Sequence, residues 1–186
     1  MTTISKEHFF RAAKDIGSHG DNDMLPFDLD TKFIKDRAEE LSTIAAAFCN
    51  QLLADSETNN RSKIRSLSIH SERLLAPTGH SGFRISTKIH PFWTVYFNGI
   101  GVYLAEELEP NRSPNAHSYR FASSENNELF DRSYSWKRFR HHTAESAIVS
   151  GEDSIVVQTD ISSFYEHISH HYLENQISDI LNGEHK

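Results

Sequence analysis

The stretch at residues 154–176 constrains the fold most strongly, because its hydrophobic pattern changes period at a single acidic residue. Residues 155–157, Ile-Val-Val, form a β-branched run of the kind found in buried strands, and Asp160 follows this run. Beyond a polar turn at Ser162 and Ser163, the spacing changes to three and four residues, which predicts an amphipathic helix. The residues at this spacing are Ile161, Phe164, Tyr165, Ile168, His171 and Tyr172. We therefore expect a strand, a turn and a helix, with one carboxylate at the end of the strand.

A carboxylate at the end of a strand, beside the free N–H groups that begin a helix, suits a hard metal ion that carries phosphates. Residues 160–170, D-I-S-S-F-Y-E-H-I-S-H, resemble the first metal-binding motif of reverse transcriptases. The similar branches are those of group II introns, retrons and abortive-infection or antiviral-defence proteins. The resemblance is close over residues 155–173 and loose over the rest of the chain. The alternative is an ordinary strand-to-helix turn with an N-capping aspartate.

The resemblance implies an α+β fold, in which helix-rich N-terminal and fingers regions lead into the first strand-helix unit of an incomplete right-hand palm. The implied domains are an N-terminal helical region at 1–60, a fingers-like region at 61–150 and the start of the palm at 151–186. The implied activity is that of an RNA-directed DNA polymerase, a nucleotidyltransferase that adds dNTPs to a primer on an RNA template with two Mg²⁺ or Mn²⁺ ions. The branch implies a role in bacterial antiphage defence.

The resemblance also assigns roles to the residues of the motif. Asp160 is the implied catalytic carboxylate that binds both metal ions, and the backbone carbonyl of Ile161 adds an oxygen. The N–H groups of Ser162, Ser163 and Phe164 are implied to face the triphosphate of the incoming nucleotide.

Tyr165 corresponds to the bulky residue that lies under the sugar in this family. A ring at this position excludes a 2′-hydroxyl by steric contact, which predicts a preference for deoxynucleotides. The second metal motif of the family, an aromatic residue followed by x-Asp-Asp, does not occur in the sequence. Because one carboxylate cannot hold two metal ions, we expect a downstream palm and thumb, from the same protein or a companion chain, to complete the site. We expect residues 1–186 alone to be catalytically silent.

Short alternating and β-branched segments with proline and glycine between them predict a β-hairpin within residues 63–90, with its turn near residues 78–81. The segment resembles the fingers hairpin of reverse transcriptases, where an arginine on the returning strand holds the triphosphate, and Arg84 occupies that position. A planar guanidinium binds phosphate oxygens bidentately. The alternative is a surface arginine. Pro77 and Thr78 stand where many relatives have a lysine.

The remaining periodic segments predict helices at residues 7–16, 31–55, 90–107 and 129–148, and a polar loop at 59–62. Asp30 or Thr31 is the predicted cap of the second helix. Cys49 lies on the apolar stripe of that helix, so we expect a small buried residue and not a nucleophile. Gly99 and Gly101 predict a kink or the close approach of another element.

Residues 15–27, D-I-G-S-H-G-D-N-D-M-L-P-F, are similar to the opening of defence-type reverse transcriptases. Asp21 and Asp23 in this run have either a functional role or an ordinary role in helix capping and loop solvation.

The formal charge of −7 hides an alternation of acidic and basic blocks. Residues 61–90 carry six Lys or Arg against one acidic residue, and residues 112–142 carry six against three. Basic blocks can meet a phosphate backbone, although charged runs are also common on solvated faces. The second block contains an S-Y-R element similar to one in the family and a basic helix that lies either along the template-primer backbone or on the palm. The predicted nucleic-acid contacts are Arg120, Lys137, Arg138 and Arg140.

Two other functions remain open. The first is a non-catalytic nucleic-acid-binding or assembly module with a polymerase-like fold. The second is a helical metal hydrolase that uses the H-x-x-H-H-x-x-E cluster of His167, His170, His171 and Glu174, whose spacing places them on one helix face. The first residues lack a signal-peptide pattern and no apolar run approaches a membrane span, so we expect a cytoplasmic protein without a membrane partner.

Overall fold

The computed structural model describes residues 4–20, 28–54, 57–78, 82–122, 128–150, 155, 157–161, 164 and 167–182. The described residues form an α+β structure, as the sequence predicts. They contain seven α-helices and one two-stranded antiparallel sheet. The chain divides into two compact units, residues 2–104 and 105–186. The three-part division predicted at residues 60 and 150 stays a prediction.

The elements of the first unit are α1 (Lys6–His19), α2 (Asp28–Asp36), α3 (Ala38–Leu53), α4 (Glu57–Ser66), β1 (Ser71–Thr78), β2 (Gly82–Ile89) and most of α5 (Pro91–Leu108). A 3₁₀ turn (Glu109–Asn111), α6 (Trp136–Val149) and α7 (His170–Leu181) follow. Among the described residues, no helix is both long and apolar enough to span a membrane. Residues 15–19 of the run that resembles the opening of defence-type reverse transcriptases belong to α1, whereas residues 21–27, with Asp21 and Asp23, lie outside the described residues.

The core of the first unit forms where the predicted apolar stripes of α1, α3 and α5 meet. Its buried residues are Phe9, Ala13, Ile16, Ile34, Ala38, Leu41, Ala45, Cys49, Val95 and Tyr96. Phe48, Phe92 and Trp93 pack against this cluster and are partly buried. The part of the second helix's apolar stripe that lies in this cluster is therefore core packing, whereas Ile44 and Leu53 are exposed. Cys49 is the small buried residue that we expected.

The helix predicted at residues 31–55 is wrong in its start and its continuity. It begins at Asp28, so neither Asp30 nor Thr31 is its cap, and a non-helical residue, Arg37 (φ −118°, ψ 23°), separates α2 from α3. Both helices pack against α1, and the break allows the two parts of the stripe to do so.

The predicted loop at residues 59–62 is also wrong, because these residues lie within α4. Lys63 and Arg65 in the last turn of α4 complement the negative end of its helix dipole. These charges favour a helix in a segment where the sequence does not indicate one, because Asn59 and Asn60 have weak helix propensity.

The predicted β-hairpin is confirmed. β1 and β2 pair antiparallel from Ser71 opposite Ile89 to Thr78 opposite Gly82, and residues 79–81 between them lie outside the described part. Alternation along the strands gives the hairpin two faces. One face contains the fully buried Ala76, whereas Leu75 on the other face is exposed.

The second unit differs from the sequence predictions at two helix starts. The helix expected from residue 129 begins at Trp136, because Phe130 pairs with Phe121 in an isolated β-bridge. The Ser135 hydroxyl then caps α6 by accepting a hydrogen bond from the Arg138 N–H. The helix expected after residue 163 begins only at His170.

The predicted strand at residues 155–157 is not formed by its described residues. Ile155 and Val157 have no regular structure and are 88% and 76% exposed. A strand requires a hydrogen-bonded neighbour, and the described residues of the second unit contain no strand to pair with it. The β-branched run therefore shows strand propensity without the partner that a strand needs.

Substitution of Gly99 by alanine should destabilise the protein, whereas Gly101→Ala should stabilise it slightly. A Cβ at Gly99 would lie 2.2 Å from Cδ1 of Phe9, and overpacking of this kind costs about 1–3 kcal/mol. A Cβ at Gly101 meets nothing within 4 Å beyond its own helix, so alanine gains up to about 1 kcal/mol of helix propensity. Urea unfolding measures both changes in free energy. Equal stability of the two variants would contradict the close packing of α1 against α5.

Candidate functional site

The described part of the motif at residues 160–170 is mostly exposed and contains no strand. The Asp160 carboxylate accepts a hydrogen bond from the neighbouring Ile161 N–H at 2.9 Å, and Ile161 itself is 62% exposed. Phe164 is half-exposed, and its carbonyl accepts a hydrogen bond from the His167 N–H. Asp160 is thus accessible to a cation from solvent.

The predicted triphosphate contacts at Ser162 and Ser163 and the predicted sugar contact at Tyr165 lie outside the described residues. The neighbouring histidine cluster is largely described, since α7 contains His170, His171 and Glu174. Within the described part of the chain, no three or more His, Cys, Asp or Glu side chains form a group that could hold a metal ion.

Arg84 lies on β2 directly opposite Ala76, on the returning strand of the hairpin. Alternation places it on the same face as Lys88, whose Nζ lies 2.5 Å from Oδ2 of Asp30 in α2. This ion pair attaches the base of β2 to the helical part of the unit, and Pro91 begins α5 two residues after β2 ends. Arg84 is therefore an exposed residue on a partly buried strand whose end at Lys88 is fixed.

The four basic residues that we predicted as nucleic-acid contacts separate into two groups. Arg120 and Arg138 both lie against the Tyr134 ring, with guanidinium carbons 5.2 Å and 4.2 Å from its centroid. Arg120 also pairs with Glu109 at 2.9 Å and donates a hydrogen bond to the Ser113 carbonyl. These two arginines hold the irregular segment before α6 in place.

Lys137 and Arg140 form the second group, on the outer side of α6. Together with Trp136 and His141 they line an open cleft. Trp136 is 64% exposed and stacks on Phe139, with ring centroids 5.2 Å apart and an interplanar angle of 28°. This arrangement combines positive charge with an accessible aromatic ring.

His117 is a functional candidate that the sequence did not indicate. It is 8% exposed, and neither of its ring nitrogens has a hydrogen-bond partner among the described residues. Its ring contacts Tyr134, Phe139 and His142 at centroid distances of 5.8, 5.7 and 5.4 Å. Burial lowers the pKa of His117, and the nearby His142, Arg138 and Arg120 lower it further. No sequence pattern distinguishes this histidine from the other histidines of the chain.

Known proteins give no independent indication of what these residues do. Comparison of the chain with family models, with curated proteins and with solved structures finds no match. The motif at residues 160–170 and the geometry of the described side chains therefore carry the functional inference.

Acidification should destabilise the protein through His117. Its pKa in the folded state lies below the ordinary value of 6.5, so the unfolded chain binds the proton first as the pH falls through 6.5. Stability conferred by the neutral ring is present above that pH and is lost below it. Urea unfolding over a pH series should show a smaller loss of stability in His117→Leu than in the wild type.

His171→Ala is the matched control, because this histidine is exposed on α7. The control should keep the full pH dependence. An unchanged pH dependence in His117→Leu would show that the buried imidazole is not the group responsible.

Proposed function

We propose that the chain is the fingers and first palm part of a reverse transcriptase, which adds dNTPs to a DNA primer on an RNA template in bacterial antiphage defence. The observation that carries this proposal is the motif D-I-S-S-F-Y-E-H-I-S-H at residues 160–170. Two structural features support it. Asp160 is accessible to solvent, and Arg84 lies on the returning strand of the hairpin, as in the fingers of this family.

The donor atoms at the motif fit Mg²⁺ or Mn²⁺. A carboxylate and a backbone carbonyl, from Asp160 and Ile161, are hard oxygen ligands of the kind that these ions prefer. When bound, such ions activate the primer hydroxyl and stabilise the leaving pyrophosphate. One carboxylate does not hold two ions, so the proposal includes further carboxylates from a downstream palm, in the same protein or a companion chain.

Arg84 would bind the triphosphate of the incoming nucleotide. Its five N–H donors form a rigid fork that matches phosphate oxygens, and the fixed base of β2 limits the entropy lost on binding. Pro77 and Thr78 provide no cation on the opposite strand. Arg84 therefore acts without the lysine that assists it in many relatives.

The basic cleft on α6 favours the alternative function, a non-catalytic nucleic-acid-binding module. Nucleic-acid contacts there do not need Asp160 or any metal ion. The two functions differ in one measurable respect, since only the polymerase incorporates dNTPs.

Asp160→Ala should abolish primer extension by the protein expressed from its complete reading frame. A metal ion contributes several kcal/mol to transition-state stabilisation, so we expect a loss of roughly a thousandfold or more. Incorporation of labelled dNTPs on an RNA template with Mg²⁺ measures it. Glu174→Ala, an exposed carboxylate on α7, is the control and should keep full activity.

Unchanged extension by Asp160→Ala would refute the proposed catalytic role. Residues 1–186 alone should incorporate no dNTP. Incorporation by this segment that depends on Asp160 would show that the second carboxylate motif is not required.

Replacement of Tyr165 by valine should relax the discrimination between deoxynucleotides and ribonucleotides. The smaller side chain leaves room for a 2′-hydroxyl, so the kcat/KM for rNTPs should rise while that for dNTPs changes little. Single-nucleotide incorporation of dCTP and CTP by the complete protein measures the ratio. Tyr165→Phe keeps the ring and should keep the wild-type ratio, whereas relaxed discrimination in that variant would argue against steric exclusion.

A further inference from the structure

The outer face of α6 presents an aromatic ring that is unusually accessible. Large aromatic side chains are mostly buried, yet Trp136 is 64% exposed, and Phe139 stacks beside it. The ring lines the open cleft that Lys137, Arg140 and His141 also line. A planar ligand that enters this cleft meets an aromatic surface beside positive charge.

The cations of this face differ from the other basic residues of the second unit. Among the described residues, the side chains of Lys137 and Arg140 make no hydrogen bond or ion pair, whereas Arg112, Arg120 and Arg138 all have partners. His141 is paired with Glu145 in the next turn at 3.3 Å. Lys137 and Arg140 are therefore available for an external anion.

Helix periodicity places the outer face of α6 on a different side from the residues that contact the rest of the second unit. Trp136 and Arg140 are four residues apart, so they lie one above the other on the same side of α6. Arg138 and His142 are likewise four residues apart, and they contact Tyr134 and His117 instead. The helix thus uses one side for packing and leaves the other side to solvent.

We propose that this outer face binds single-stranded nucleic acid, with an unpaired base stacked on Trp136 and the adjacent phosphates bound by Lys137 and Arg140. Any base can stack on an indole ring, and the strand's phosphates supply the complementary charge. A duplex supplies the same phosphates but keeps its bases paired and stacked. This proposal deepens the proposed function. It rests on that function in one respect, namely that the partner is nucleic acid.

Fluorescence anisotropy with labelled oligothymidylate and oligouridylate strands tests the proposal without metal ions. Trp136→Ala should weaken binding about tenfold or more, as expected for the loss of one stacked base, while Trp136→Phe should keep most of the affinity. Tyr172→Ala is the aromatic control, because Tyr172 on α7 is 65% exposed, and it should bind as the wild type does. The two strands distinguish DNA from RNA, and a dependence on Trp136 with either supports the proposal.

The double variant Lys137→Ala, Arg140→Ala tests the phosphate contacts. Two lost contacts to a single strand should reduce the slope of log affinity against log salt by roughly 1.4. Lys32→Ala removes an exposed lysine from α2 and should leave this slope unchanged. A slope unchanged in the double variant would overturn the assignment of the phosphates.

Three other results would overturn the proposal: wild-type binding by Trp136→Ala, equally tight binding of a duplex, or displacement of the strand by polyglutamate of matched charge. None of them depends on Asp160. Primer extension with no effect of Trp136 on strand binding would refute this inference alone. Trp136-dependent binding without primer extension by the protein expressed from its complete reading frame would refute the polymerase alone.

Discussion

The packing of Phe9 against Gly99 is the contact on which the first unit depends. Phe9 is fully buried, and its ring occupies the space that a Cβ on α5 would take. It also stacks on Tyr96 of the same helix, with centroids 5.7 Å apart. Tyr96 in turn lies beside Cys49 of α3, and burial together with that thiol raises the pKa of Tyr96 to about 12. A neutral phenol and a neutral thiol thus join α1, α3 and α5 in one core.

The position of the hairpin follows from this core. β2 ends at Ile89, and the His90 carbonyl accepts a hydrogen bond from Thr94 in the first turn of α5. The Lys88–Asp30 ion pair adds a second attachment, to α2. Arg84 is therefore displayed by a strand whose geometry is set by helix packing, although the residue itself is exposed.

Hydrophobic periodicity predicted α1, α3 and α5, whose apolar stripes pack against one another. The residue pattern also predicted the hairpin, whose strands are neighbours in the sequence. It failed where distant partners decide the structure. Among the described residues, Ile155 and Val157 of the predicted strand have no strand to pair with, and Phe130 leaves the predicted helix to pair with Phe121. The two glycines of α5 look equivalent in sequence, but only Gly99 faces a ring. Likewise, the basic helix was visible in the sequence, whereas the separation of Arg138 from Arg140 required the position of Tyr134.

The second unit leaves apolar side chains exposed around Asp160, which bears on how the candidate site would form. Neither α6 nor α7 buries a residue, and the exposed run around Asp160 includes the apolar Ile155, Val157 and Ile161. Under the proposed function, pairing with further palm strands would bury this run, and each buried aliphatic side chain contributes about 1.5–3 kcal/mol. The same pairing would bring additional carboxylates beside Asp160. Assembly of the metal site would then be coupled to the burial of the strand, so that folding of the palm and completion of the catalytic centre are a single step.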